Sequence, residues 1–304
     1  MIQHMELAGG KVVPVEGREG DIQVYLDPTD VERRHLVDTL KIDEHTLSSA
    51  LDPDELARLE FEPDHLAMIL KRPRNYSSED QFVFKVASAG IFLYSDRLVI
   101  VLTEDVPLFQ GKLFTKLTTL KDVALRIVYM SIAHFVEHLK VINAVSDSLE
   151  QQINTSMQNK YLLNLFSLEK SLVYYLNGIN SNAKLIERLK LNAAKIGFSP
   201  ENIEFIDDAI IENQQCYEQA EIYSNILASM MDARVSIVSN NLNWLMKTLT
   251  IITICIMTPT LVVSIFSMNV PFPGTDHPAA FWFILALALS SIGLVRLVWR
   301  WKRW

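Results

Sequence analysis

The chain has 304 residues, about two domains by length, and 49% of them are hydrophobic against 21% charged, which excludes a disordered or fibrous protein. Its formal charge of −8 is unevenly spread. Residues 247–304 hold five basic side chains and one acidic, whereas the other 246 residues hold 23 basic and 35 acidic, a balance of −12. So acidic a body is a poor partner for nucleic acid and a plausible one for cations.

The segment before residue 115 has the texture of an α/β domain. Strands are expected at Asp21–Leu26, His65–Leu70, Gln81–Val86 and Arg97–Leu102, with short helices around Asp30–Leu40 and His45–Leu51. Residues 116–200 read as a helical hairpin, Lys116–Ser156 and Tyr161–Lys195, with Asn177-Gly178 a weak point in its second arm. Gly197 ends that arm, and Ser199-Pro200-Glu201 is an N-cap followed by proline at the first helical position. From Glu201 to Thr258 no proline or glycine interrupts the chain, so one helix is expected over 201–266, about 99 Å long at 1.5 Å per residue.

No Asp, Glu, Lys or Arg occurs from Thr248 to Thr275, and none from His277 to Val295. Each run supplies the roughly 20 apolar residues of a membrane span, placed at 248–266 and 279–299. All five tryptophans, Trp244, Trp282, Trp299, Trp301 and Trp304, fall near the span ends, where indoles favour the interface. The connecting loop, 267–278, has no Lys or Arg, while Lys247 precedes the first span and the basic tail 300–304 follows the second. The positive-inside rule therefore puts both termini in the cytoplasm. Met1–Gly10 lacks the apolar run of a cleaved signal peptide, and Cys216 and Cys255 sit in unlike contexts, so neither a leader nor a disulfide is expected.

Within the first span, Asn243, Met246, Thr250, Thr253, Met257, Thr260, Ser264 and Ser267 recur at every third then fourth residue and include no aliphatic side chain. A polar stripe costs free energy against lipid, so it faces other helices or water. Small hydroxyl residues also glue helices together, and both readings stand at this point. Pro259 removes one intrahelical hydrogen bond and frees a carbonyl near Cys255. Two helices cannot enclose a water-filled path, so a pore-lining stripe requires several copies of the chain.

Elsewhere, His134-Phe-Val-Glu-His138 has the H-x-x-E-H spacing of inverted zinc proteases, but no third ligand is indicated and a chance match on a helix face is favoured. The acidic groups Asp52, Asp54 and Glu55, and Glu201, Glu204, Asp207 and Asp208, read as solvated faces. No nucleophilic triad or phosphate-binding glycine loop is present, so the chain does not read as an enzyme and no organic cofactor is expected.

The sequence Ser264-Ile-Phe-Ser-Met-Asn-Val-Pro271 resembles the signature of the CorA family of divalent-cation channels, whose motif is Gly-Met-Asn. The run Val238–Ile252, Met257, Pro259, the basic-aromatic C-terminus and Leu51-Asp-Pro-Asp-Glu-Leu-Ala-Arg58 are similar to that family as well. The resemblance implies a homopentamer in the plasma (inner) membrane, with Mg²⁺ uptake driven by membrane potential and Co²⁺ or Ni²⁺ as further cargo. It implies that Asn269, beside Met268, meets the hydrated ion at the outer mouth, and that Asn243, Met246, Thr250, Met257 and Thr260 line the pore, on the stripe already found by spacing. Lys247 would form an inner basic ring. Family members also sense cytosolic Mg²⁺ between subunits, and Asp208 falls at the acidic position of the stalk, while Ser48 and Ser49 stand where its acidic partners are expected. Ser267 replaces the motif glycine. Zn²⁺ transport and a non-conducting, membrane-anchored regulatory role are the alternatives this departure leaves open.

Overall fold

The computed structural model describes residues 1–15, 19–76, 82–155, 159–268 and 277–302. The chain forms two compact units, Met1–Met231 and Asp232–Trp304.

The first unit is built on a seven-stranded sheet of order β2-β1-β3-β7-β6-β5-β4. Its strands are β1 (Ile2–Ala8), β2 (Lys11–Pro14), β3 (Ile22–Leu26), β4 (Arg58–Phe61), β5 (His65–Pro73), β6 (Val86–Tyr94) and β7 (Leu98–Leu102). Only β3 and β7 run parallel; the other neighbours are antiparallel. Alternation along the strands divides the core between two faces. Tyr25, Ala67, Ile69, Phe92, Val99 and Val101 pack beneath α1 (Asp30–Asp38) and α2 (Glu44–Leu51). Ile22, Val24, Leu66, Met68, Leu70, Ile91 and Ile100 pack on the other face against α3 (Leu120–Thr155) and α4 (Asn159–Leu191). Three layers result, with every central strand buried on both faces, which is why β3, β5 and β7 read as continuous apolar runs.

Both short helices begin at capping residues. Thr29 and Glu32 form a reciprocal capping box at α1, and the Asp43 carboxylate accepts from the Thr46 amide at α2. The expected strand at 81–86 is displaced: Gln81 lies outside the described residues, and the strand observed is β6, Val86–Tyr94. Its Ala87-Ser88-Ala89-Gly90 stretch lacks bulky β-forming residues, and on the face that Gly90 shares with Phe92, α2 lies close above it. A Cβ at Gly90 would stand 2.7 Å from the Ala50 Cβ and 2.8 Å from the Phe92 ring. Nor does Asn177-Gly178 interrupt α4, which runs unbroken from Asn159 to Leu191.

One side chain joins sheet to helix where a strand gives out. The β4 ladder ends with Arg58 opposite Ile69, leaving the β5 backbone unpaired at Lys71. Asn182 of α4 takes over: its Oδ1 accepts from the Lys71 amide at 2.8 Å, and its Nδ2 donates to the Lys71 carbonyl at 2.7 Å. Both groups are fully buried, so the pair answers a need that water cannot meet.

After a single turn, α5 (Ala193–Ile196), Gly197 closes the segment with φ 74°, the left-handed conformation that glycine adopts without steric cost. The last helix of this unit then starts with mutual caps, the Ser199 amide donating to the Asn202 Oδ1 and the Asn202 amide to the Ser199 Oγ. It is α6, Pro200–Phe266, and Asn202, Ile206, Ala209, Asn213, Cys216, Ala220 and Leu227 are its buried positions within the first unit. In the second unit the distal part of α6 is accompanied by α7, Ala280–Lys302. Both helices are long and apolar enough to cross a membrane.

Candidate functional site

Within the second unit, burial separates two faces of α6. Thr248, Ile251, Cys255, Thr258, Pro259, Val262 and Phe266 are half-buried, and so are Ala280, Ile284, Ser291, Ile292, Val295 and Trp299 of α7, with Ala288 buried. Each set recurs at three- and four-residue steps, the period of a helix face packed on a neighbour. The stripe residues Asn243, Met246, Thr250, Thr253, Met257, Thr260, Ser264 and Ser267 are all exposed. At 3.6 residues per turn they centre roughly half a turn away from the half-buried face. The chain therefore turns its least lipid-compatible surface away from its own second span.

The hydroxyls on that surface are oriented by the helix itself. Thr250 donates to the Met246 carbonyl at 2.8 Å, Thr253 to Leu249 at 2.9 Å and Thr260 to Ile256 at 2.7 Å. With its one proton spent on the preceding turn, each oxygen offers outward only lone pairs. A row of neutral acceptors suits a cation that keeps its hydration shell, whose water protons point outward. Met246 and Met257, 63% and 64% exposed, punctuate the row with apolar side chains.

Ser267, at the motif glycine's place, needs no left-handed backbone. The positive-φ residues other than glycine among the described residues are Asp27, Lys41, Phe82 and Lys116. The Ser267 amide donates to Val263 at 3.1 Å, continuing the helical pattern, and its Oγ donates to the Ser264 carbonyl at 2.9 Å. Met268 follows, exposed, while Asn269 and residues 270–276 lie outside the described residues. Lys247 is exposed on α6, between Met246 and the half-buried Thr248.

The remaining candidates lie in the first unit. Asp208 is exposed on α6, whereas its neighbour Asp207 is paired with Lys190 at 2.7 Å. Of the two serines at the expected partner positions, Ser48 is exposed and Ser49 is buried, its Oγ accepting from Arg58 at 3.0 Å. Glu55 is likewise held by Arg58, at 2.7 Å. His134 and His138 point inward, their rings in edge contact at 4.5 Å, while Glu137 between them is exposed. The His138 Nδ1 lies 2.7 Å from the Tyr175 hydroxyl. Burial, reinforced by the neighbouring His134, lowers the His138 pKa to about 4; burial and Arg72 lower that of His134. Among the described residues no group of three or more His, Cys, Asp or Glu could hold a metal ion.

Reading the sequence alone missed Asn182, and also Asp122. That carboxylate accepts from the Thr118 and Thr119 amides, the Thr118 hydroxyl and the Asn202 amide group, tying the start of α3 to the start of α6. Burial would raise its pKa, but these hydrogen bonds prevail and hold it at about 2. Asn182 is an isolated polar residue whose Lys71 partner lies far along the chain; Asp122 stands in a Thr119-x-x-Asp122 capping pair that the sequence offers, but its bond to Asn202 lies far along the chain.

Known proteins bear on the whole length. A family model described as a CorA-like Mg²⁺ transporter protein matches residues 23–301. The cobalt/magnesium transport protein CorA of Methanocaldococcus jannaschii is 25% identical over 292 residues, 91% of this chain and 89% of that protein. The complete structure of the CorA magnesium transporter from the same organism superposes with a TM-score of 0.80 at 20% identity, over 98% of this chain and 96% of that one. The full-length CmaX protein gives 0.75 at 15% identity over 100% and 98%. The ZntB cytoplasmic domain from Vibrio parahaemolyticus gives 0.60 at 14%, over 79% of this chain and 98% of that one.

Proposed function

The chain belongs to the CorA-like Mg²⁺ transporter family, whose members carry divalent cations, and from that premise we propose that it assembles as a homopentameric Mg²⁺ channel. The observation that carries this reading is the exposed stripe of α6 on the face opposite α7, whose Thr250, Thr253 and Thr260 hydroxyls offer only acceptor lone pairs outward. Five copies brought together along that face would surround the ion with neutral oxygens from Asn243, Thr250, Thr253, Thr260 and Ser264. Mg²⁺ gives up its waters reluctantly, so a path lined by amides and hydroxyls selects it hydrated. Asn269, with Met268 and Ser267, supplies the outer ring. Met246 and Met257 act as apolar constrictions that close by dewetting.

A membrane potential negative inside supplies the drive, about 4.6 kcal/mol per 100 mV for a divalent ion, twice the single-charge value. No bond-making chemistry is required. With both termini cytoplasmic, the ring of Lys247 at the inner edge repels cations and makes conduction conditional. Asp208 is the regulatory Mg²⁺ ligand on the stalk, and its partner from the neighbouring copy is a residue other than the buried Ser49.

The test is uptake into proteoliposomes with a negative interior, offering Mg²⁺, Co²⁺, Ni²⁺ and Zn²⁺ separately to wild type and to Asn269→Ala. Mg²⁺ uptake by the wild type, lost in the variant while the pentamer persists, is the expected result. Uptake of Zn²⁺ alone would reassign the cargo, and undiminished uptake by the variant would remove Asn269 from the selecting ring.

A further inference from the structure

The C-terminal end of α7 concentrates charge of one sign. From His277 to Lys302 the chain carries Arg296, Arg300 and Lys302 and no acidic residue. Arg296 and Arg300 are both exposed, four residues apart and therefore neighbours on the helix surface. Among the described residues, no carboxylate pairs with either. Next to them round the helix come Leu294, Leu297 and Trp301, which are 66%, 71% and 81% exposed. A pair of unpaired guanidinium groups thus borders an open apolar strip at the end of a membrane-length helix.

We propose that this face binds the headgroup of an anionic phospholipid, its phosphate held between Arg296 and Arg300 and an acyl chain lying along Leu294 and Leu297. Guanidinium groups form paired hydrogen bonds with phosphate oxygens, and the bonds strengthen at the edge of a low-dielectric layer. Trp301 sits where an indole prefers the interface. A zwitterionic headgroup carries its own cation and gains far less from two arginines. A soluble phosphate could satisfy the same charges but not the apolar strip, which favours the lipid as the occupant. This inference rests on the membrane reading above.

The test uses the full-length protein in bilayers of phosphatidylcholine with and without phosphatidylglycerol, with retained lipids counted by native mass spectrometry and Mg²⁺ uptake followed in the same compositions. Wild type should retain phosphatidylglycerol well above its share of the bilayer. Arg296→Gln with Arg300→Gln should weaken retention about thirtyfold, the effect of two basic groups at a membrane surface. Arg296→Lys with Arg300→Lys, which keeps the charge, should retain an intermediate amount. Retention by wild type in proportion to the bilayer overturns the proposal even if the glutamine variant fails to insert. So does displacement of the lipid by soluble glycerol phosphate. Absence of uptake in every bilayer would instead count against the transport reading, leaving lipid retention to be judged by itself.

Discussion

In residues 1–231 three polar side chains meet backbone needs within the chain: Asn182 completes the β5 edge at Lys71, Ser171 receives the Phe84 amide, and Asp122 collects the starts of α3 and α6. In residues 232–304 the hydroxyls of Thr250, Thr253 and Thr260 bond to the turn before them, and their oxygens face outward on a surface that no described part of the unit covers. At these three places the first region answers its polar needs within one chain. The second has postponed it to whatever meets the stripe, which is what a subunit of a symmetric pore must do. Substitutions at these buried contacts of the first region should therefore act on stability, and substitutions in the stripe on transport.

The largest effect on stability is expected at Asn182. Replacing it by alanine strands a buried amide and a buried carbonyl of Lys71, each costing about 1–3 kcal/mol. Thermal unfolding of the solubilised protein should show the loss, and an unchanged unfolding midpoint would mean that water replaces the side chain. A smaller loss, about 1–3 kcal/mol, is expected for Gly90→Ala, whose added methyl group meets Ala50 and Phe92 at less than van der Waals distance. Denaturant titration measures it; a neutral outcome would place more slack between α2 and β6 than the fold shows.

Acid separates the regions again. His134 and His138 have folded pKa values below the ordinary 6.5, so the unfolded chain takes up protons before the folded one. Stability of the first unit is full above about pH 6.5 and falls as pH drops towards about 4. Loss of the Asp122 contribution follows only as pH falls from 3.8 towards about 2. His138→Phe should flatten the first of these slopes in thermal unfolding followed against pH; an unaltered slope would assign it to other groups.

Much of this division was legible in the sequence, because periodicity reports which face is special. The stripe emerged from three- and four-residue steps alone, and the N-cap at Ser199 marked the start of α6 to within one residue. The opposition of the stripe to α7 was not legible, since it depends on which residues the second span half-buries. The edge strands β2 and β4, and β1 beside β2, were missed because they are short or only half-buried and carry weak alternation. β6 was misplaced because the small residues that let α2 approach the sheet erase the usual strand signature. The H-x-x-E-H spacing gave a metal-like pattern where the fold has two imidazoles in edge-to-face contact, one of them engaged by Tyr175.

The central claim, that the stripe and not the opposite face of α6 meets the ion, can be tested by single cysteines in a Cys255→Ser background. Thr253→Cys and Thr260→Cys probe the stripe; Ile251→Cys and Val262→Cys probe the half-buried face. After treatment with a bulky cationic thiol reagent, Mg²⁺ uptake should stop in the two stripe variants and continue in the other two. Block at Ile251→Cys and Val262→Cys with free uptake at Thr253→Cys and Thr260→Cys would contradict the account.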